Sequence, residues 1–221
     1  MWNETGDASL GGTPDYIQAM AGTPQPVSPL DGVAELLSAH QAAASKQFCL
    51  RERAFLDLVT VRGDAADTAF TRAVNSVTGC DLSATPNTHT HTVTSGAQAE
   101  VLWLGPDEWL VRSHEPQHAT LEAALREALA GQFAAVVDVG SGHTVLEASG
   151  QRVREVLARG CPLDLHPRVL APGQCAQSHY FKAAIVLVPL LGERYELIVR
   201  RSFADYCCRI MLDAAQPFMK S

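Results

Sequence analysis

The sequence contains no C-x-x-C pair, no G-x-G-x-x-G, no G-x-x-x-x-G-K-[ST] and no G-x-S-x-G. The first absence argues against a zinc ribbon or a redox dithiol. The next two argue against a nucleotide carried by this chain, and the last against a nucleophile elbow. No apolar run approaches the roughly 20 residues that span a bilayer. The opening M-W-N-E-T-G-D-A-S-L has no basic region followed by an apolar one, so a secretory signal is not expected. Positive charge is also short: 17 Lys and Arg against 24 Asp and Glu leave a net charge of −7. Nucleic acid and anionic membrane surfaces are therefore poor partners.

What is present is ordinary globular composition. The chain has 221 residues, 47% hydrophobic and 19% charged, enough to bury a sizeable core. Its six cysteines are Cys49, Cys80, Cys161, Cys175, Cys207 and Cys208. They are too few for a disulfide scaffold of this length, and the last two are neighbours in sequence. They read as reduced, mostly buried thiols of a cytoplasmic protein.

Residues 1–45 form a lead-in. Up to about Ser28 it is rich in Gly, Pro, Ser and Thr, which favour turns and extended chain, and suits either a disordered tail or an arm laid on a partner. From Lys46 the pattern becomes regular. Strands are expected around Phe48–Leu50 and Phe55–Val61, with a helix over Ala65–Ser76 that Asp64 caps. Three strands follow, at His89–Thr94, Glu100–Leu104 and Glu108–Arg112, the last two joined by the turn Gly105-Pro106-Asp107-Glu108. A helix over Pro116–Ala130 carries Leu121, Leu125 and Leu129 on one face, with Gly131 as its C-cap.

The order then begins again. Ala134–Val139 and Thr144–Ser149 are strands around Gly140-Ser141-Gly142, and Gln151–Ala158 is a helix. Strands over Cys175–Phe181, Ala184–Leu190 and Arg194–Val199 lead to a helix from Ser202, its N-cap, to Ala214. Gly63 matches Gly150. Gly79-Cys80-Asp81-Leu82 matches Gly160-Cys161-Pro162-Leu163, and Trp109-Leu110-Val111-Arg112 matches Leu197-Ile198-Val199-Arg200. This implies an internally duplicated α+β fold. Two ββαβββα halves, 46–131 and 132–215, would pack face to face through antiparallel sheets into one globular unit.

No catalytic, cofactor-binding or metal-binding residue is signalled. Asp138, Ser141 and His143 lie too close along one hairpin for a triad to be assigned. His89 and His91 share a strand face and could hold a metal with a third ligand. No such ligand is nearby in sequence, and T-H-T-H-T reads better as a solvated strand face or edge. His114 and His118 are separated by Pro116. Asp164 and His166 suit hydrogen bonds that organise their own loop. Trp103 and Trp109 suit either interface anchors or the core of the first sheet, with the core the commoner place. Arg200 and Arg201, followed by Phe203, could grip a carboxylate of a partner or a folate tail. An arginine pair at such a junction is more often a surface ion pair of small energetic weight.

Four stretches carry a resemblance to a known family: V-D-V-G-S-G-H-T-V-L-E-A-S-G, A-R-G-C-P-L-D-L-H-P, P-G-Q-C-A-Q-S and V-R-R-S-F-A-D-Y. With W-L-G-P-D-E-W-L at Trp103–Leu110, they resemble the gamma subunits of bacterial heterotetrameric sarcosine oxidase from about Lys46 to Ala214. His143 departs from the arginine often found there, and Cys207-Cys208 from a more aromatic pattern. The resemblance implies a fold similar to the folate-binding domain of aminomethyltransferases. It also implies a non-catalytic subunit assembled with alpha, beta and delta chains. FAD, FMN, NAD and tetrahydrofolate would belong to those partners. The complex would oxidatively demethylate sarcosine to glycine, with formaldehyde or methylenetetrahydrofolate and hydrogen peroxide as products. A stand-alone folate-binding aminomethyltransferase-like protein is the alternative that the shared fold and W-L-G-P-D-E-W suggest.

Overall fold

A computed structural model describes residues 26–42, 46–91, 99–116 and 120–219. Helix α1 spans Ala34–Ala42, after a short 3-10 turn at Asp31–Val33. The first repeat follows as β1 (Cys49–Arg53), β2 (Leu58–Arg62), α2 (Thr68–Thr78), β3 (His89–His91), β4 (Ala99–Gly105), β5 (Glu108–Ser113) and α3 (Thr120–Ala128). The second repeat is β6 (Ala135–Asp138), β7 (His143–Ser149), α4 (Val153–Ala158), β8 (Ala176–Tyr180), β9 (Ala183–Leu190), β10 (Arg194–Arg200) and α5 (Arg201–Met219). The expected ββαβββα order is present twice.

The sheets do not follow the sequence halves. One sheet has the order β1-β7-β10-β9-β8 and the other β3-β4-β5-β2-β6, all antiparallel. Each repeat therefore lends its first strand to the edge of the other repeat's sheet. Both sheets have the same order of corresponding strands, as an approximate two-fold axis between the repeats requires. A cut between residues 131 and 132 would separate the sequence repeats but take an edge strand from each sheet.

Alternation along the strands builds three apolar layers. In β5, Trp109 and Val111 point toward α2 and α3, while Leu110 points at the opposing sheet. In β10, Leu197 and Val199 point toward α4 and α5, while Ile198 meets the other sheet. The outer clusters are closed by helices whose apolar residues recur at helical spacing: Phe70 and Val74 on α2, and Ala204, Cys207, Cys208, Met211 and Ala215 on α5.

Local chemistry sets the boundaries. Asp67, not Asp64, caps α2 by accepting from the Ala69 N–H at 2.8 Å; Asp64 instead closes a turn onto Ala66. Gly79 ends that helix at φ 70°, the left-handed C-cap that glycine adopts most readily. A Cβ on Gly150 would lie 2.5 Å from the Gln47 carbonyl oxygen, so the close approach of these two segments requires glycine there. The last helix begins at Arg201, directly after β10, and runs past Ala214 through Pro217 to Met219.

Part of the lead-in belongs to the core. Residues 1–25, where the tail or arm was expected, lie outside the described residues. Leu30, Val33 and Leu37, however, are at most 6% exposed and join the cluster beneath α4 and α5. Their i, i+3, i+7 spacing is that of a helical face. His40 and Gln41 complete this cover: the Leu50 N–H donates to His40 Nε2 at 3.2 Å, and Gln41 Nε2 donates to the Leu50 carbonyl at 3.3 Å.

Candidate functional site

The seam between the sheets has two unlike ends. At one, Arg112 on β5 reaches into the opposing sheet, where its Nη1 lies 2.6 Å from Glu196 Oε2 on β10. That contact is close in distance but off the hydrogen-bond axis, so it is chiefly coulombic. The other Arg112 nitrogen donates to Glu100 on β4. Glu196 also accepts from Arg53 at 2.6 Å, and Arg53 reaches on to the His114 carbonyl. His89 Nε2 lies 3.1 Å from Glu100, and His114 Nδ1 lies 3.2 Å from its other oxygen.

Arg112 is 1% exposed and Glu196 0%, so these charges are bound to each other rather than to water. Burial opposes ionisation of Glu100, but hydrogen bonding from His89 and the Arg112 charge outweigh it and hold the carboxyl well below the usual carboxylate range. Burial likewise opposes the Arg112 cation, and Glu196 and Glu100 together push its pKa up. Two arginines and two glutamates balance. Removing one member would strand the rest in a medium that solvates charge poorly.

The opposite end is open. A crevice of ≈ 270 Å³ enters between the sheets, walled by residues such as Leu58, Leu110, Val186 and Ile198, with Arg200 and Glu108 on its rim. Gln177 bridges the sheets there, donating to the Leu104 carbonyl at 2.7 Å. His143 joins this crevice to a groove of ≈ 500 Å³ that Phe55, Asp57, Asp138 and Arg201 help to line. The crevice by itself is smaller than the roughly 300 Å³ at which ligand pockets begin, whereas the adjoining groove is larger. Glu108, Asp57 and Asp138 would repel the anionic glutamate tail of a folate, and Arg201 Nη2 is engaged 3.0 Å from the Val27 carbonyl.

The residues singled out in sequence fall in different places. Trp109 is fully buried, meets Phe70 at a tilt with ring centroids 5.9 Å apart and donates its indole N–H to the Ser83 carbonyl. It is a core residue and cannot reach a neighbouring chain, which corrects its reading as an interface anchor. Trp103 is half-buried against the same cluster. Arg200, Arg201 and Phe203 are exposed where β10 turns into α5. The structure also corrects the solvated reading of the His89 side chain, which is 4% exposed and turned to Glu100, although β3 does lie at a sheet edge. The His91 side chain and His118 lie outside the described residues.

Asp138 accepts from the Gly140 N–H at 2.8 Å and His143 Nδ1 lies 3.0 Å from the Val139 carbonyl, so both serve the turn around Ser141. Burial pushes the Cys175 thiol up to about 11 and the Cys207 and Cys208 thiols up to about 12, away from nucleophilic thiolate. Among the described residues no group of three or more His, Cys, Asp or Glu is placed to hold a metal ion, and no helix is long and apolar enough to cross a membrane. The ionic network was missed in sequence. Its signal was a glutamate within each of two apolar strands, A-E-V-L-W-L-G and R-Y-E-L-I-V-R.

Comparison with known proteins adds the family. A model of the "Sarcosine oxidase, gamma subunit family" matches residues 62–216, from the end of β2 to the last helix. The chain belongs to the sarcosine oxidase gamma subunit family. It is 31% identical over 191 residues to the sarcosine oxidase subunit gamma of Corynebacterium sp. (strain P-1), covering 86% of this chain and 90% of that one. The corresponding Arthrobacter sp. subunit is 29% identical over 194 residues, with 86% and 90% covered. Among solved structures, a chain of the heterotetrameric sarcosine oxidase from Corynebacterium sp. U-96 superposes with a TM-score of 0.77 at 28% identity, covering 89% of this chain and 97% of that one. Aminomethyltransferase T of the glycine cleavage system from Bartonella henselae shares the fold, at TM-score 0.58 and 13% identity, over 80% of this chain and 48% of its own length.

The stretches that carry the gamma-family resemblance have structural roles here. W-L-G-P-D-E-W-L is the β4–β5 hairpin with Trp109 in the core. In G-C-P-L-D-L-H-P, Asp164 accepts from the His166 N–H and His166 Nδ1 from the Arg168 N–H, which fixes the loop as expected. R-S-F-A-D-Y starts α5, burying Ala204 and pairing Asp205 with Arg209 at 3.0 Å.

Proposed function

We propose that this chain is a non-catalytic assembly subunit of a heterotetrameric sarcosine oxidase. Its alpha, beta and delta partners hold FAD, FMN, NAD and tetrahydrofolate and convert sarcosine to glycine, with formaldehyde or methylenetetrahydrofolate and hydrogen peroxide as products. The observation that carries this reading is the gamma-family match across both repeats, joined to a close superposition on a chain of a heterotetrameric oxidase. The chemistry of the fold supports it. The buried ionisable groups are engaged with one another, the candidate triad serves a turn, and four thiols are raised by burial. Six unbridged cysteines favour a reducing, cytoplasmic setting.

The test is reconstitution. Purified alone, the chain should turn over no sarcosine. Co-expressed with the larger chains of a heterotetrameric sarcosine oxidase, it should co-purify in fixed ratio, and its omission should lower the yield or stability of the complex. Sarcosine oxidation by the isolated chain would overturn the non-catalytic role. A stand-alone folate-dependent activity is supported only by the shared fold, which is a weak warrant for chemistry. Saturable tetrahydrofolate binding by the isolated chain would favour it.

A further inference from the structure

The two sheets expose four edges: β1 and β3 are engaged, and β8 is held at its two ends, where the Cys175 N–H donates to Asn87 and the Phe181 N–H to Gly160. β3 and β8 meet at a corner, where Thr88 bridges to Gln174 and the His89 N–H donates to Gly173. β1 is covered by the lead-in, as described above. β6 closes the other sheet, and no strand or side chain among the described residues pairs with its outer side. Register shows which groups are left over. Val139 donates to the Leu58 carbonyl, so in antiparallel alternation Val137 and Ala135 also face β2, while the Val136 and Asp138 backbones face outward.

The side chains around this edge are apolar and exposed. Phe133, just before the strand, is 104% exposed and Val137, within it, 50%; Val136 is the strand's one buried residue. A depression of ≈ 600 Å³ opens next to Phe133. The Gln132 side-chain oxygen on its wall is buried, with no donor in reach among the described residues. An open edge bearing apolar side chains is an aggregation hazard that stable proteins normally cover. Asp64 and Asp138, exposed and in no ion pair among the described residues, flank the patch.

We propose that the β6 edge, with Phe133 and Val137, is the docking site for a basic, apolar segment of a larger subunit of the oxidase. The inference rests on the assembly role above. The fold itself supplies the precedent. On the corresponding strand β1, the lead-in covers the edge with Leu30, Val33 and Leu37 and satisfies the outward backbone through His40 and Gln41. A partner segment at β6 supplies the same parts in trans. Apolar side chains cover Phe133 and Val137, one donor and one acceptor meet the Val136 backbone, a donor meets Gln132, and Lys or Arg faces Asp64 and Asp138.

The experiment uses the complex reconstituted from full-length chains. Benzoylphenylalanine at position 133 should, on irradiation, join this chain to one of the larger subunits. Phe133→Asp with Val137→Asp should weaken assembly by about tenfold or more, as loss of an interface anchor does, while the melting temperature of the isolated chain stays within a few degrees of the parent. Cross-linking to a second copy of this chain or back to residues 1–25, or assembly of the double variant at parental affinity, overturns the proposal. Failure of the parental chain to assemble at all overturns the assembly role and the docking site together. Normal parental assembly with an indifferent double variant removes the docking site alone.

Discussion

Strands β1 and β6 open their respective repeats, each is lent to the other repeat's sheet, and each lies at its edge, yet only β1 is covered from within the chain. The seam between the sheets is unequal in the same way: one end carries buried charge, with a pocket of ≈ 320 Å³ beside His89 and Glu100, and the other an apolar-walled crevice. Duplication makes two copies of every edge and pocket. Stability requires the surplus backbone and apolar groups to be satisfied somewhere, but not twice in the same manner. The asymmetric lead-in finishes one sheet in cis and leaves its counterpart for another chain. A duplicated domain thereby acquires one face that is closed and one that is available.

The sharpest way to break this comparison is at two arginines that the sequence repeat matches. Arg112 is wholly buried between two carboxylates, while Arg200 sits on the rim of the crevice with no carboxylate in ion-pair range among the described residues. Arg112→Ala should cost about 3–5 kcal/mol, because Glu100 and Glu196 remain behind as buried charge. Arg200→Ala should change stability by no more than about 0.5 kcal/mol. Urea denaturation of both variants measures the difference. Equal effects would mean that the two ends of the seam are not energetically distinct.

A second comparison concerns the edges. Leu37 packs the covering helix onto the core at 6% exposure, so Leu37→Ala should destabilise the isolated chain by about 2–4 kcal/mol. Phe133→Ser, at the uncovered edge, should leave it unchanged or slightly more soluble. If calorimetry of the isolated chain shows Leu37→Ala to be neutral, the lead-in is an ornament of the fold and the contrast between the edges loses its basis.

The repeat order was legible because each half carries its own punctuation. Gly63 and Gly150 end corresponding strands, and Trp109-Leu110-Val111-Arg112 and Leu197-Ile198-Val199-Arg200 alternate alike. The exchange of β1 and β6 was not legible, since a strand's apolar alternation does not say which sheet it joins. Leu30, Val33 and Leu37 did hold a helical pattern, but it followed a Gly/Pro-rich stretch whose turn residues masked it. Arg200, Arg201 and Phe203 could be placed at a strand-to-helix junction because the strand's alternation stops there, although the helix begins at Arg201 and takes in Ser202, the expected N-cap. The ionic network needs the partner of each charge, and Arg112 meets Glu196 across more than 80 intervening residues. Sequence separation of that size hides pairing from any local reading. Trp109 shows the converse: only burial decides between anchor and core, and the structure gives it to the core.

The mildest effect concerns acid. Because Glu100 is held below the usual carboxylate range in the folded chain, its ionised form stabilises the fold wherever an unfolded glutamate is also ionised, above pH about 4.3. As the pH falls below that value toward the lowered native one, protons bind the unfolded chain first and the contribution is lost. Glu100→Gln keeps an acceptor for Arg112 but removes the charge, so it should cost about 1–3 kcal/mol at pH 7. The gap to the parent should then narrow steadily below pH about 4.3, because the variant has no proton to take up at this position. Denaturation curves of both proteins recorded between neutral and strongly acid pH measure the gap. Parallel curves for Glu100→Gln and parent would show that the buried end of the seam gains nothing from the charge of Glu100, leaving hydrogen bonding alone to hold the two sheets together there.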